Sequence, residues 1–351
     1  MLNWILMCNT FMFAQHLHYT MIKIRTTHAF FLIIFSFISI RSLHAQDYKN
    51  QVTLTADNDQ YINPNHDRYF TDGLEFNFTH ALKHNSSDSS IAKKTIEFEF
   101  GQNIYNSFTG SARQIQPNPF VLKWYGIDRP FTAYLYAGVS LNLLYANENS
   151  LKLNAQLGTI GPAALGEQVQ TNFHKFWGLY KVRGWPYQLN NAPGINLKAN
   201  YSMLLYRNNG NWFDMAFTPT GWLGTTFTGA SAGMQFRLGK IDKLFQSTIT
   251  NSRVSNSGIE HQTHEFYFFT VPQINYVAYD ATIEGGLGLK DKGPVTFGIY
   301  HFVYQQQFGL EFASARWSAD YIAYIRSREV KSTALGDQWA SIALKYRFGK
   351  I

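Results

Sequence analysis

The sequence predicts an all-β fold, a transmembrane antiparallel β-barrel of about twelve strands with long loops and a short helix on one rim. Three observations predict it. The chain opens with an export signal, its remaining composition is aromatic-rich yet of modest mean hydropathy, and its later segments alternate apolar and polar residues.

The signal lies within residues 1–45. Lys23 and Arg25 form a basic region, 29–40 is an almost unbroken apolar run, and Ser42-Leu43-His44-Ala45 supplies a small residue for cleavage. That order of charge, apolar stretch and small residue is a secretory signal peptide, with the cut expected after Ala45. An apolar run that brief is too short for a helix spanning a bilayer, which needs about 20 residues. A signal starts near its basic residues, so Met21 is a plausible true start. Residues 46–351 then form the barrel domain.

The only cysteine, Cys8, falls in the leader. The exported part therefore has no disulfide, thiolate nucleophile or cysteine metal cage. Setting aside Lys23, Arg25 and Arg41 leaves 27 basic against 23 acidic residues, a formal charge of +4. The surplus is dispersed, and without a clustered basic stripe no nucleic-acid partner is expected. Aromatics make up 17% of the chain, with 29 Phe and 21 Tyr, while mean hydropathy is only −0.22. No later stretch is apolar for about 18 residues, so no transmembrane helix follows the leader. Barrels of bacterial outer membranes have this composition, because lipid-facing apolar residues alternate with polar lumen-facing ones and the average hides both faces. The expected location is the bacterial outer membrane, among its lipids, as a monomer.

The alternation is direct in Leu74-Glu75-Phe76-Asn77-Phe78-Thr79 and again in Ile96-Glu97-Phe98-Glu99-Phe100. The two glutamates of the second stretch are tolerable where their face meets a wet lumen. Segments 132–143 and 151–157 form a pair with a turn near 147–150. Segments 195–206 and 212–218 join at Asn208-Asn209-Gly210, a hairpin signal. Strands are further predicted over 231–238, 265–283, 294–306, 310–325 and 338–348, many near the roughly 9–11 residues of a tilted span. The connections 103–128, 240–264 and 326–337 are long and polar, which predicts short turns on one rim and long loops on the other. Residues 161–191 do not alternate and are read as including a helix at the rim or against the wall. Glu284-Gly285-Gly286 reads as a turn or bulge.

Three clusters concentrate polar residues. Asp57-Asn58-Asp59 ends the first strand, and its oxygens suit a hard cation such as calcium. Asp and Asn also favour plain turns. Asp67-Arg68-Tyr69-Phe70-Thr71-Asp72-Gly73 enters the second strand, where Asp67 and Arg68 also fit an ordinary rim ion pair. Paired in a hairpin, Thr71 sits close to Asn58 and Asp59, where a hydroxyl or backbone N–H steadies an oxyanion. The third cluster runs through Gly158-Thr159-Ile160-Gly161-Pro162 and Gly166-Glu167-Gln168-Val169-Gln170 to His174, then to Gly184-Trp185-Pro186-Tyr187-Gln188-Leu189. On a helix Glu167, Gln170 and His174 share one face. A histidine beside a cation site is suited to act as a general base, although a loop histidine is also a common structural residue. The sequence holds no GxSxG elbow, HExxH zinc helix or phosphate loop.

The order DND, DRYFTDG, GTIGP…GEQVQ…H and GWPYQL resembles the outer-membrane lipid A 3′-O-deacylase family, with the match strongest over 53–197. The resemblance implies a twelve-stranded barrel that uses calcium to hydrolyse the 3′-linked acyloxyacyl ester of lipid A, the lipid anchor of lipopolysaccharide, in the outer leaflet. By position it implies His174 as catalytic base, Asn58 and Asp59 as the Asn–Asp pair, and Thr71 as the strand hydroxyl. Glu167 or Gln170 then orients the imidazole or joins Asn58 and Asp59 at the metal. The family's basic substrate-binding residues have one counterpart here, Arg113, next to Ala112. The alternatives are another outer-membrane lipid esterase or phospholipase, and a non-catalytic porin or transporter.

Overall fold

The computed structural model describes residues 48–63, 68–83, 89–108, 127–256 and 264–350. The expected leader, Asp67 and Arg113 lie outside the described residues. Thirteen strand segments form one antiparallel sheet: β1 (Tyr48–Asn58), β2 (Tyr69–Leu82), β3 (Ile91–Asn106), β4 (Thr132–Tyr145), β5 (Ser150–Ile160), β6 (Ala192–Arg207), β7 (Phe213–Phe217), β8 (Thr220–Gly224), β9 (Phe227–Lys240), β10 (Glu265–Asp280), β11 (Phe302–Ala313), β12 (Trp317–Arg326) and β13 (Asp337–Lys350). β7 and β8 both pair with β6 and β9. They are halves of one stave, broken at Thr218-Pro219, where proline has no N–H for the ladder. β1 pairs with β13 over ten residue pairs, so twelve staves close into a barrel with no free edge.

The wall is apolar outside and polar inside. Leu54, Leu74, Phe76, Phe98 and Phe100 are about half exposed or more, whereas Gln51, Thr53, Asn77, Thr79, Glu97 and Glu99 point inward and are buried. In water this arrangement would be backwards; in a bilayer it is the stable one. Glu97 and Glu99 sit among partners rather than in bulk water. Lys152 donates to Glu97 at 2.6 Å and Thr79 at 3.0 Å, while Asn154 and Gln156 donate to Glu99 at 2.9 and 2.7 Å. Buried charges persist when paired and hydrogen-bonded.

Three boundaries differ from the alternation reading. The strand expected to reach residue 283 stops at Asp280, whose carboxylate accepts from the Thr282 N–H at 2.8 Å and caps the short helix α2 (Ala281–Glu284); this element follows α1, described below. Positive-φ Gly285, Gly288 and Gly293 follow. The strand expected over 294–306 is mostly an extended loop, because Val295 and Ile299 alternate in order to fill the rim rather than to pair along a ladder. The ladder begins at Phe302, residues 306–310 lie mid-strand, and the turn falls at 314–316. The hairpin at Asn208 forms as expected: its side-chain oxygen accepts from the N–H groups of Trp212 and Phe213, both at 3.0 Å.

The rim where β1 begins and β13 ends has brief turns at 146–149, 208–212 and 314–316, as the periplasmic rims of such barrels do. The 241–264 connection also belongs to this rim, contrary to the expected asymmetry. Residues 241–256 turn inward, and Ile241, Leu244, Ser247, Thr248, Arg253 and Val254 are buried. Arg253 bonds Asp242 and Glu265 at 2.8 and 3.2 Å, which offsets the desolvation of a guanidinium inside a barrel.

The opposite rim carries the long loops. There Arg129, 1% exposed, bonds Glu329 at 3.1 Å and the Thr282 hydroxyl at 3.0 Å. Burial alone would raise the Glu329 carboxyl, but Arg129 and Arg326 outweigh it and hold it below its ordinary value. A carboxylate depressed in the folded state stabilises above its unfolded pKa, and that contribution is lost as pH falls through the folded value. Backbone hydrogen exchange over 327–336 is therefore expected to be slow at neutral pH and to rise, relative to the intrinsic rate, below about pH 4. In Glu329→Gln that protection should be weaker at neutral pH and lose its pH step.

Candidate functional site on the outer wall

At the outer rim the ladder sets four residues in one row. Asn58 pairs with Asp72, Asp72 with Ile104, and Ile104 with Ala133. Each lies in phase with lipid-facing neighbours on its strand, so the row runs along the outside of the wall. With strands about 4.8 Å apart it spans about 14 Å.

Asp57 and Asn58 straddle the wall: Asp57 points inward to the Ser341 hydroxyl, and Asn58 outward, where its amide donates to Asp72. The Asn58 side-chain oxygen also accepts from the Gln60 N–H at 2.8 Å and caps the 3-10 turn Asp59–Tyr61. The turn reading therefore holds for Asn58. Asp59 is 2% exposed, and the Arg68 backbone N–H donates to its carboxylate. Thr71 is the extra residue where the β2–β3 register shifts between Phe70 and Asp72. Its hydroxyl is buried with no hydrogen-bond partner among the described residues. A buried hydroxyl without a partner among the described residues is uncommon, because burial costs it its water.

Helix α1 (Gly166–Phe176) supplies the histidine. After Ile160 the chain turns at Gly161, with φ +84, and packs against the outside of β3 and β4. A Cβ on Gly166 would stand 2.5 Å from the Ala133 methyl, so glycine there lets the helix touch the wall at the end of the row. Gly166, Gln170 and His174 form the buried face. His174 is 4% exposed, and its Nδ1 lies 2.8 Å from the Tyr180 carbonyl, with the Tyr180 ring edge-on at 4.9 Å. A carbonyl only accepts, so Nδ1 carries the hydrogen of this bond.

The structure gathers Asn58, Asp59 and Thr71 at one corner and sets His174 on the helix over the adjoining strands. Gln170 and Glu167 each contact the segment that follows the helix. The Gln170 side-chain oxygen accepts from the Trp185 indole at 2.9 Å, and Glu167 meets Gln188 at 3.5 Å. Both tie α1 to the GWPYQL segment, which returns to the wall where the Leu189 N–H bonds the Phe131 carbonyl at 3.0 Å. Asp72 was not singled out by sequence reasoning, although hairpin register alone pairs it with Asn58. The Tyr180 contribution is a backbone carbonyl and leaves no signal in residue type.

Gly184 is the tightest point of this clamp. A Cβ there would lie 2.0 Å from the Phe131 ring, with Trp185 stacked edge-on to Phe131 at 5.7 Å. Gly184→Ala is expected to displace α1 and cost about 1–3 kcal/mol by overpacking. Faster proteolysis within 161–190 of the folded barrel would show it; unchanged proteolysis would refute it.

The outer membrane protein LpxR family matches residues 30–348. The chain belongs to that family. It is thus a bacterial outer-membrane protein of a lipid A-modifying family. The fold is similar to LpxR from Salmonella typhimurium at 21% identity, covering 85% of this chain and 100% of that one with TM-score 0.67. The β domain of the Bordetella autotransporter BrkA covers 86% of this chain and 100% of its own at 9% identity and TM-score 0.44. Comparison with curated protein sequences gives no match.

Proposed function

We propose that this LpxR-family chain is a calcium-dependent esterase that removes the 3′-linked acyloxyacyl group of lipid A in the outer leaflet. The observation that carries the reading is His174. It is a buried imidazole held by the Tyr180 carbonyl in the tautomer of a base, on the lipid-facing side of the wall at the outer rim. A lumen site would not meet a membrane lipid, whereas a site on the lipid-facing wall is open to one.

His174 takes a proton from water through Nε2, and the water oxygen attacks the ester carbonyl carbon. The bond from that carbon to the sugar oxygen then breaks, and the imidazolium returns its proton to the leaving oxygen. The acyloxyacyl chain departs as a free acid. Thr71 donates its unpartnered hydroxyl to the oxyanion. Asn58 and Asp59, with Asp72 alongside, would hold calcium: their amide and carboxylate oxygens are the hard donors it favours. Among the described residues no group of three His, Cys, Asp or Glu is arranged for a metal. The rest of a shell of roughly six to eight oxygens would come from backbone carbonyls, water and substrate. When bound, calcium supplies Lewis-acid polarisation of the carbonyl. Arg113 is the candidate contact to a lipid A phosphate.

The pore alternative is disfavoured by residues 241–256, which turn into the lumen, where Arg237 bonds the Ser247 hydroxyl at 2.8 Å and Lys345 the Thr248 carbonyl at 3.3 Å. A phospholipid esterase would use the same base and wall. Mass spectrometry of lipid A from a host membrane expressing the chain separates these readings. Loss of one acyloxyacyl mass with calcium and its retention under chelator supports the proposal. Unchanged lipid A with new lysophospholipid moves the substrate. Neither change, in a folded barrel, rejects an esterase. Asp59→Ala is expected to lower turnover about 10²-fold or more, with part of the loss recovered at high calcium in Asp59→Asn.

A further inference from the structure

Helix α1 has an apolar stripe that faces away from the protein. At 100° per residue its side chains fall into three sectors. Gly166, Gln170 and His174 meet the wall. Gln168, Thr171, Asn172 and Lys175 form an exposed polar sector. Between them lie Val169, Phe173 and Phe176, continued by Trp177 beyond the helix end, at 48%, 49%, 81% and 61% exposure. The polar face is buried and the apolar one bare, an inversion of the soluble amphipathic helix. The helix also lies on the outer wall, whose own strands expose Phe100 (57%) and Leu157 (66%) to lipid. The stripe is thus continuous with the membrane-facing belt. On the same segment Lys175, Lys181 and Arg183 are exposed, which complements anionic lipid headgroups.

We infer that α1 is an interfacial membrane helix, its Val169–Phe173–Phe176–Trp177 stripe inserted among the acyl chains of the outer leaflet and its basic flank at headgroup level. Apolar rings at the acyl boundary with cations beside them are the composition of helices that lie in the interface plane, and tryptophan favours that depth. The occupant is the lipid monolayer, because the stripe lies at the outer rim of a wall that is itself lipid-facing. Insertion fixes the depth of the helix, and hence of His174 on its wall side. The consequence for an ester bond rests on the proposed function, whereas the insertion itself does not.

Nitroxide labels report insertion without reference to activity. Phe173→Cys, Phe176→Cys, Gln168→Cys and Asn172→Cys are each made with Cys8→Ser in the full chain, labelled, and reconstituted in vesicles containing anionic lipid. Oxygen, which concentrates in the acyl region, is expected to relax positions 173 and 176 several-fold more than a water-soluble nickel chelate does. Positions 168 and 172 are expected to show the reverse. Equal nickel access at all four places the stripe in water and overturns the inference. Dipolar broadening between labels on neighbouring barrels at 173 and 176 assigns the stripe to a second copy and also overturns it. Labels at acyl depth with unmodified lipid A would leave the inference standing while the deacylase reading fails. A Phe173→Ser, Phe176→Ser, Trp177→Ser variant that retains its heat-resistant barrel is expected to raise KM for vesicle-borne lipid A several-fold with little change in kcat.

Discussion

His174→Ala is expected to reduce lipid A deacylation by about 10²–10⁴-fold, the usual contribution of a positioned general base, while the barrel keeps its heat-modifiable mobility. The imidazole is outside the ladder and outside the lumen, so its removal subtracts no strand pairing. It leaves an unmatched Tyr180 carbonyl and a small void against the wall, which costs α1 some order and the barrel little. Nδ1 donates to a carbonyl, so the proposed base is the neutral imidazole acting through Nε2. His174→Gln preserves the hydrogen bond to Tyr180 through its amide but cannot take a proton. Full activity in His174→Gln would show that the histidine positions the helix and is not the base. Equal loss in both variants with unchanged helix protection would support proton transfer.

The second large effect concerns folding. Asp214→Ala is expected to destabilise the barrel by about 3–5 kcal/mol, because it removes the close partner of a fully buried guanidinium and leaves it, among the described residues, only the Glu265 carboxylate at 4.0 Å. Arg237 has no exposed side-chain surface, and Asp214 is 1% exposed. Two guanidinium nitrogens of Arg237 reach the two oxygens of Asp214 at 2.9 and 2.5 Å. Arg237 further donates to the Ser247 hydroxyl and the Asp242 carbonyl, so it also pins the inward-turned 241–256 segment. The charge therefore joins wall to plug. Replacing both members together, as Asp214→Leu with Arg237→Met, removes the buried guanidinium with its carboxylate and should recover much of the loss, because Arg207, which also bonds Asp214, keeps Glu148 at 2.6 Å. Unfolding midpoints in urea, read by heat-modifiability on gels, give both values. A single variant as stable as the parent would mean that water reaches the pair and screens it.

The reading of the wall from sequence succeeded where the physics is local. Alternation at 74–79 and 95–100 reports a two-faced strand regardless of its neighbours, and Asn208-Asn209-Gly210 carries its own turn. It failed where the same local pattern serves another end. Val295 and Ile299 alternate as strand residues do, yet they fill the far rim, because the glycines before them release the chain from the ladder. The Asp280 side chain ends β10 by capping α2, a choice that an unbroken apolar pattern conceals. The candidate residues were legible as residue types in order, since Asn, Asp, Thr and His stand out in a chain whose strands otherwise alternate apolar residues for lipid. Their partners were not legible, because Asp72 joins through hairpin register and Tyr180 through its backbone.

By itself the sequence determined the class of this protein. A leader-like start, an aromatic-rich chain with no apolar helix after it, and strands with one face for lipid leave a membrane barrel as the structure that satisfies every backbone group in a bilayer. Tertiary structure alone decided three further matters. It closed twelve staves through the β1–β13 ladder, a pairing between chain ends that no local signal specifies. It turned residues 241–256 inward, where Arg253 and Arg237 find carboxylates drawn from distant strands. It also laid α1 against the outside of β3 and β4, and so set a polar, histidine-bearing face toward the wall and an apolar one toward the lipid. Each of these depends on contacts between residues far apart in the chain, whose energies exist only after the barrel has closed.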